Sequence, residues 1–189
     1  MNTHLPKSGK SSLLDGANGW KILVDYDRCK IVFPPEIYAT PERPDIILWS
    51  GSLRRILLIE LTVPVEGGIE AASIRKVGRY ASLCSNIQNS SWKPVLLNIE
   101  VGARGYVANS TRRCFRKLGM TGREVTALCR TLATVAARCS YAIYLSHDSP
   151  VWDRDRALVT LDCSDQSISD ALTRCLATGS SGTHRVDQS

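Results

Sequence analysis

The chain has 189 residues, a formal net charge of +6 and a pI near 9.0. Its 43% hydrophobic content is enough for the core of one domain. No apolar run reaches the about 18 residues that a membrane span needs, and the polar opening MNTHLPKSGKSSLLDG has no signal-peptide core, so the expectation is an intracellular protein with no membrane partner.

Residues 1–17 read as a flexible tail. The SGKSS within them lacks the earlier glycine and the preceding strand of a phosphate-binding loop, so no nucleotide site is expected there. WKILVDYDRCKIVF reads as a hairpin, and FPPEIYATPERP as a proline-punctuated loop. Residues 45–50 and 55–63 read as strands, 66–88 as a helix and 94–102 as a buried strand. Two helices follow, 109–118, closed by Gly119, and 122–145, opened by the capping box of Thr121 and Glu124. A short helix is expected over 167–176, and the last residues, 179–189, read as disordered. Strands, helix, strand, helices in that order predict an α/β (α+β) domain, a mixed sheet flanked by helices.

The seven cysteines are scattered, with no two placed two to four residues apart, and there are three histidines. This excludes the usual zinc patterns and predicts reduced thiols. Charge is unevenly spread. Between Arg104 and Arg138 there are eight basic residues and one acid, Glu124, whereas the C-terminal part carries Asp148, Asp153, Asp155, Asp162, Asp165 and Asp170. A one-sided basic segment suits contact with phosphates; a solvated helix face is the plainer alternative.

The segment RPDIILWSGSLRRILLIELTVP, residues 43–64, holds two carboxylates inside apolar runs. A four-residue loop at 51–54 pairs Ser50 with Arg55, and counting back sets Asp45 opposite Glu60. Opposed residues share a face with Cβ atoms about 4.5–5.5 Å apart, where two carboxylates repel unless a cation lies between them. A register shifted by one residue would instead send the two acids to opposite faces.

On a helical wheel centred on Lys76, Ile69, Ala72, Tyr80, Leu83 and Ile87 fall within about 40°. Lys76 thus lies in an apolar stripe, where it either extends its ammonium to the edge or serves the carboxylates. Tyr80, one turn on, is a core residue by default and can aim its hydroxyl at the same place.

Pro44-Asp45, Glu60-Leu61-Thr62, then Lys76 and Tyr80 resemble the PD-(D/E)xK nuclease pattern. The position of the usual lysine, two after the second acid, is Thr62, and Lys76 stands where some branches carry that lysine on the following helix. RPDIILW, ILLIELTVPVE, IRKVGRY, IEVGARGY and LGMTGRE together resemble the restriction-like endonuclease domain of site-specific non-LTR retrotransposons and related short reading frames. The similarity runs from about Trp20 to about His147.

The resemblance implies a restriction-endonuclease-like core over 18–147, followed by an extension at 148–178. It implies a metal-dependent DNA endonuclease with Mg²⁺ or Mn²⁺ held by Asp45, Glu60 and the Leu61 carbonyl. Lys76 and Tyr80 would complete the catalytic set, and Arg104, Arg112, Arg113, Arg116 and Lys117 would contact the DNA backbone. The implied location is the nucleus. The implied partners are DNA and a reverse transcriptase or DNA-targeting domain on another chain, since this chain has neither a reverse transcriptase nor a Cys/His knuckle. Glu66 and Glu100 are further candidate acids. The alternatives are a catalytically degenerate nucleic-acid-binding module of the same fold, which Thr62 favours, and an interaction domain whose hairpin acids are incidental.

Overall fold

The computed structural model describes residues 12–25 and 31–146. Four strands form one mixed sheet: β1 (Lys21–Val24), β2 (Ile46–Ser50), β3 (Arg55–Thr62) and β4 (Lys93–Glu100), side by side in that order. β1–β2 and β2–β3 are antiparallel and β3–β4 is parallel. The parallel pair requires a crossover, supplied by a 3-10 turn (Glu66–Gly68) and the helix α1 (Ile69–Asn89). Two further helices follow, α2 (Asn109–Lys117) and α3 (Gly122–Ser146).

Alternation along the strands makes two apolar layers. On one face Ile47, Ile56 and Leu58 pack with Tyr80, Leu83 and Ile87 of α1, and with Phe33 and Ile37. On the other, Leu48, Leu57, Ile59 and Leu97 pack with Cys114 of α2. Val101, Val107 and Phe115 join Val125, Cys129 and Ala136 of α3 in a third cluster. The sheet is therefore covered on both faces, which is why β3 reads as a nearly unbroken apolar run. Cys84, Cys114 and Cys129 are free thiols. No helix among the described residues is long and apolar enough to cross a membrane.

The expected hairpin turn occurs as the spacing predicts, with Ser50 paired to Arg55. Arg54 closes the loop in the left-handed region at φ 47°, and its N–H donates to the Gly51 carbonyl. The capping box is present too: Thr121 N donates to Glu124 Oε2 at 2.7 Å and Glu124 N to Thr121 Oγ1 at 3.4 Å. Gly119, at φ 93°, follows α2 as its stop.

Two expectations are corrected. Residues 12–17 are not tail. Leu13 and Leu14 pack against the β3–β4 layer, and Ala17 is buried. Leu13 N donates to the Lys117 carbonyl at 2.7 Å, and the Trp20 indole donates to the Leu14 carbonyl at 3.2 Å. Nor is the hairpin expected over 20–33 seen among the described residues: β1 pairs with β2 instead, and Phe33 enters the core without being in a strand. The expected helix at 167–176 and the two terminal segments, 1–11 and 179–189, lie outside the described residues, as does the 148–178 extension.

Candidate functional site

The β2–β3 register runs from Ser50–Arg55 to Ile46–Ile59. One further step sets Asp45 beside Glu60, and Asp45 N donates to Glu60 Oε1 at 3.2 Å. Val101 N donates to the Thr62 carbonyl, so even-numbered residues of β3 direct their main chain towards β4. Glu60 and Asp45 are thus a non-hydrogen-bonded cross-strand pair, the kind in which opposed side chains approach most closely.

The next step sets Pro44 opposite Leu61. Proline has no N–H to give to the Leu61 carbonyl, and the Leu61 N–H donates at 2.7 Å to Asp45 Oδ2 instead. The Pro-Asp pair thus ends the β2–β3 ladder and moves a carboxylate into its last place. Pro44 is itself fully buried.

Lys76 lies on the same face of the sheet. Its ammonium forms an ion pair with Glu60 Oε2. Glu60 is 1% exposed and the Lys76 side chain 25%, so the lysine in the apolar stripe reaches inwards to a carboxylate. Tyr80 is buried; its hydroxyl donates to the Arg43 carbonyl at 3.2 Å and lies beside Glu60. Burial, then the neighbouring Glu60 carboxylate, pushes the Tyr80 hydroxyl well above its ordinary pKa. Desolvation is also the main force raising the Asp45 carboxyl, which the Leu61 N–H opposes and the Glu60 charge reinforces. Asp45, Glu60, Lys76 and Tyr80 therefore come together, with the Leu61 main chain between them.

One acid of this row is not legible as such in the sequence. The β1–β2 register, Val24 to Ile46, continues to Asp25 beside Asp45, and Asp25 N donates to the Asp45 carbonyl at 2.8 Å. The Asp25 carboxylate is held by Arg43 at 2.7 Å. On the far side of Glu60 the neighbour is Asn98 of β4, whose amide donates to Ser73 of α1 at 3.3 Å. Among the described residues no three His, Cys, Asp or Glu side chains gather closely enough to form a metal cage by themselves. The carboxylate donors of the candidate site are two.

The other candidate acids stand apart. Glu66 accepts from Arg104 through both oxygens, and Glu100 accepts the Ser110 hydroxyl and is buried next to Thr62. The basic residues expected to grip DNA divide into two groups. Arg104 sits on the β4–α2 connection, tied to Glu66 ahead of α1. Arg112, Arg113, Arg116 and Lys117 belong to α2, which packs on the opposite face of the sheet from α1. Those four do not share a surface with the carboxylates, because Thr111, Cys114 and Phe115 turn the apolar side of α2 inwards.

Compared with protein-family models, with curated proteins and with solved structures, the chain matches none.

Proposed function

We propose that the protein is a metal-dependent endonuclease with a restriction-endonuclease-like core, acting on phosphodiester bonds of DNA. The observation that carries this reading is the meeting of Asp45, Glu60 and Lys76 on one face at the end of the β2–β3 ladder. It agrees with the resemblance to the PD-(D/E)xK pattern and with the basic balance of the chain.

The residues fit a hard divalent cation. Asp45 Oδ1 has no hydrogen-bond partner among the described residues, and the Leu61 carbonyl receives nothing from Pro44. Two carboxylates and a carbonyl are oxygen donors of the kind Mg²⁺ and Mn²⁺ take. Bound there, such an ion supplies a water of lowered pKa and a counter-charge for the phosphate.

The chain's own residues prepare the site. The Leu61 N–H fixes the carboxylate of Asp45, and Asp45 N and Lys76 fix the two oxygens of Glu60. Lys76 brings the positive charge that a lysine at position 62 would otherwise bring, and in this reading it would neutralise charge building on the phosphate. Tyr80 holds the Arg43 carbonyl and so the loop entering β2. Its raised pKa keeps it a neutral donor rather than a base. DNA is the proposed partner, and a targeting or reverse-transcriptase domain on another chain would supply sequence choice. A nuclear location follows from that substrate.

A second reading is favoured by one observation. Thr62 carries no charge, and Lys76 is already engaged with Glu60, as expected of a fold that keeps its ion pair for stability and binds nucleic acid without cutting it. Mn²⁺ binding followed by electron paramagnetic resonance separates the two. The nuclease reading expects one tight Mn²⁺ per chain, lost in Asp45→Asn; Mn²⁺ that stays free in the wild type supports the second.

A further inference from the structure

The turn at residues 102–106 is built around one carboxylate. Gly102 N donates to the Tyr106 carbonyl at 2.6 Å and Gly105 N to the Gly102 carbonyl at 2.8 Å. Val101 N and Ala103 N bind the Thr62 and Pro64 carbonyls, at 3.0 and 2.8 Å. The turn is thereby pinned to the chain leaving Glu60 and Leu61. Glu66 occupies the space a side chain at 102 would need: a Cβ there would lie 2.7 Å from Glu66 Oε1 and 2.9 Å from its Cδ. From that position Glu66 accepts Arg104 N on Oε1 and Arg104 Nε on Oε2, each at 2.8 Å. Gly105 completes the clamp. Its φ is +95°, and a Cβ would stand 2.7 Å from the Ala133 carbonyl oxygen of α3.

Arg104 nevertheless remains 80% exposed at its side chain. Glu66 engages only the Nε edge, and the two terminal nitrogens have no hydrogen bond among the described residues. A long side chain normally loses rotamer freedom when it binds. Here that loss is taken in advance, and what faces outwards is the planar pair of donors that matches two phosphate oxygens. The interaction joins residues 38 positions apart and fits glycine at 102, more construction than an ordinary surface ion pair shows.

We propose that Glu66 is a positioning residue that aims the Arg104 guanidinium at a backbone phosphate of the nucleic acid beside the Asp45–Glu60 pair. The proposal rests on the nuclease reading for its substrate class. It has a counter-intuitive sign. Removing an acid from a DNA-binding surface ordinarily strengthens binding by lifting a repulsion; removing a positioning acid weakens it.

The test is binding of the full chain to a short fluorescein-labelled DNA duplex, read by anisotropy across a salt series. Arg104→Ala should weaken binding about tenfold, the worth of one charge-assisted hydrogen bond, and lower the slope of log K on log salt by about 0.9. Glu66→Ala should do the same in the wild type and nothing further in the Arg104→Ala background. Gly102→Ala, which displaces the flexible end of Glu66 while keeping every charge, should match Glu66→Ala and guards against a variant that fails to fold. Tighter or unchanged binding by Glu66→Ala and Gly102→Ala, while Arg104→Ala weakens it, would overturn the proposal and leave the nuclease reading standing. Equal weakening by Glu66→Ala in both backgrounds would overturn it as well. A wild type that ignores the duplex at low salt would overturn both together.

Discussion

Pro44 stands opposite Leu61, two residues past Ile46–Ile59, the last pair of the β2–β3 ladder. A proline at this place has a direct consequence, because the Leu61 carbonyl then keeps its lone pairs. Pro44→Ala supplies the missing N–H. Mn²⁺ affinity should fall roughly tenfold, the usual scale for a change in what surrounds a ligand, measured by titration calorimetry. Unchanged affinity would remove Leu61 from the set of ligands.

The Lys76–Glu60 pair should matter to stability as well as to chemistry. Lys76→Met leaves Glu60, 1% exposed, without its cation, and breaking such a pair costs about 3 kcal/mol. Urea unfolding should show that loss. The double variant Glu60→Gln/Lys76→Met should recover most of it, since neither member is then left charged and alone. If Lys76→Met is as stable as the wild type, the ion pair does not hold the site together.

Asp45 gives stability a pH dependence with a defined sign. Its folded-state pKa lies above the ordinary 3.8, chiefly through desolvation. The folded protein therefore holds a proton that the unfolded chain releases, so this contribution is full below the ordinary value and is lost as pH rises through the raised one. In metal-free buffer the wild type should lose stability relative to Asp45→Asn as pH climbs through that window. A saturating divalent ion should abolish the difference. The opposite slope would mean that the Leu61 hydrogen bond outweighs burial.

The α2 cluster should behave as a separate surface. With Arg112, Arg113, Arg116 and Lys117 all changed to Gln, duplex binding should lose salt dependence by up to about 0.9 per phosphate contact. The rate of cutting at saturating DNA should hold. A collapse of that saturated rate would show that the bound duplex reaches around the sheet from α2 to the carboxylates.

What was legible in the sequence is mostly local. The Ser50–Arg55 turn determines the register, and the register puts Asp45 at Glu60. The wheel around Lys76 describes a single helix, so the lysine's inward face was readable, though its partner Glu60 was open until the packing of α1 was known. Longer-range choices were not readable. β1 passes over the nearer segment at 31–33 to pair with β2, where four aligned positions reward the longer loop. That choice hid Asp25, which only the β1–β2 register brings beside Asp45. The basic run was plain, but the face of the sheet that receives α2 depends on Cys114 packing with Leu57 and Leu97, which no periodicity reports. The Glu66–Arg104 clamp likewise depends on a missing Cβ at Gly102.

The most direct test of the central claim is nicking of supercoiled plasmid by the purified wild type in Mg²⁺ and Mn²⁺, beside Asp45→Asn and Lys76→Met at matched concentration. The nuclease reading predicts metal-dependent conversion to open circles, abolished by chelation and by Asp45→Asn and at least a hundredfold slower in Lys76→Met, as expected for loss of electrostatic stabilisation. Intact plasmid in the presence of either ion, with salt-sensitive binding preserved, would contradict it.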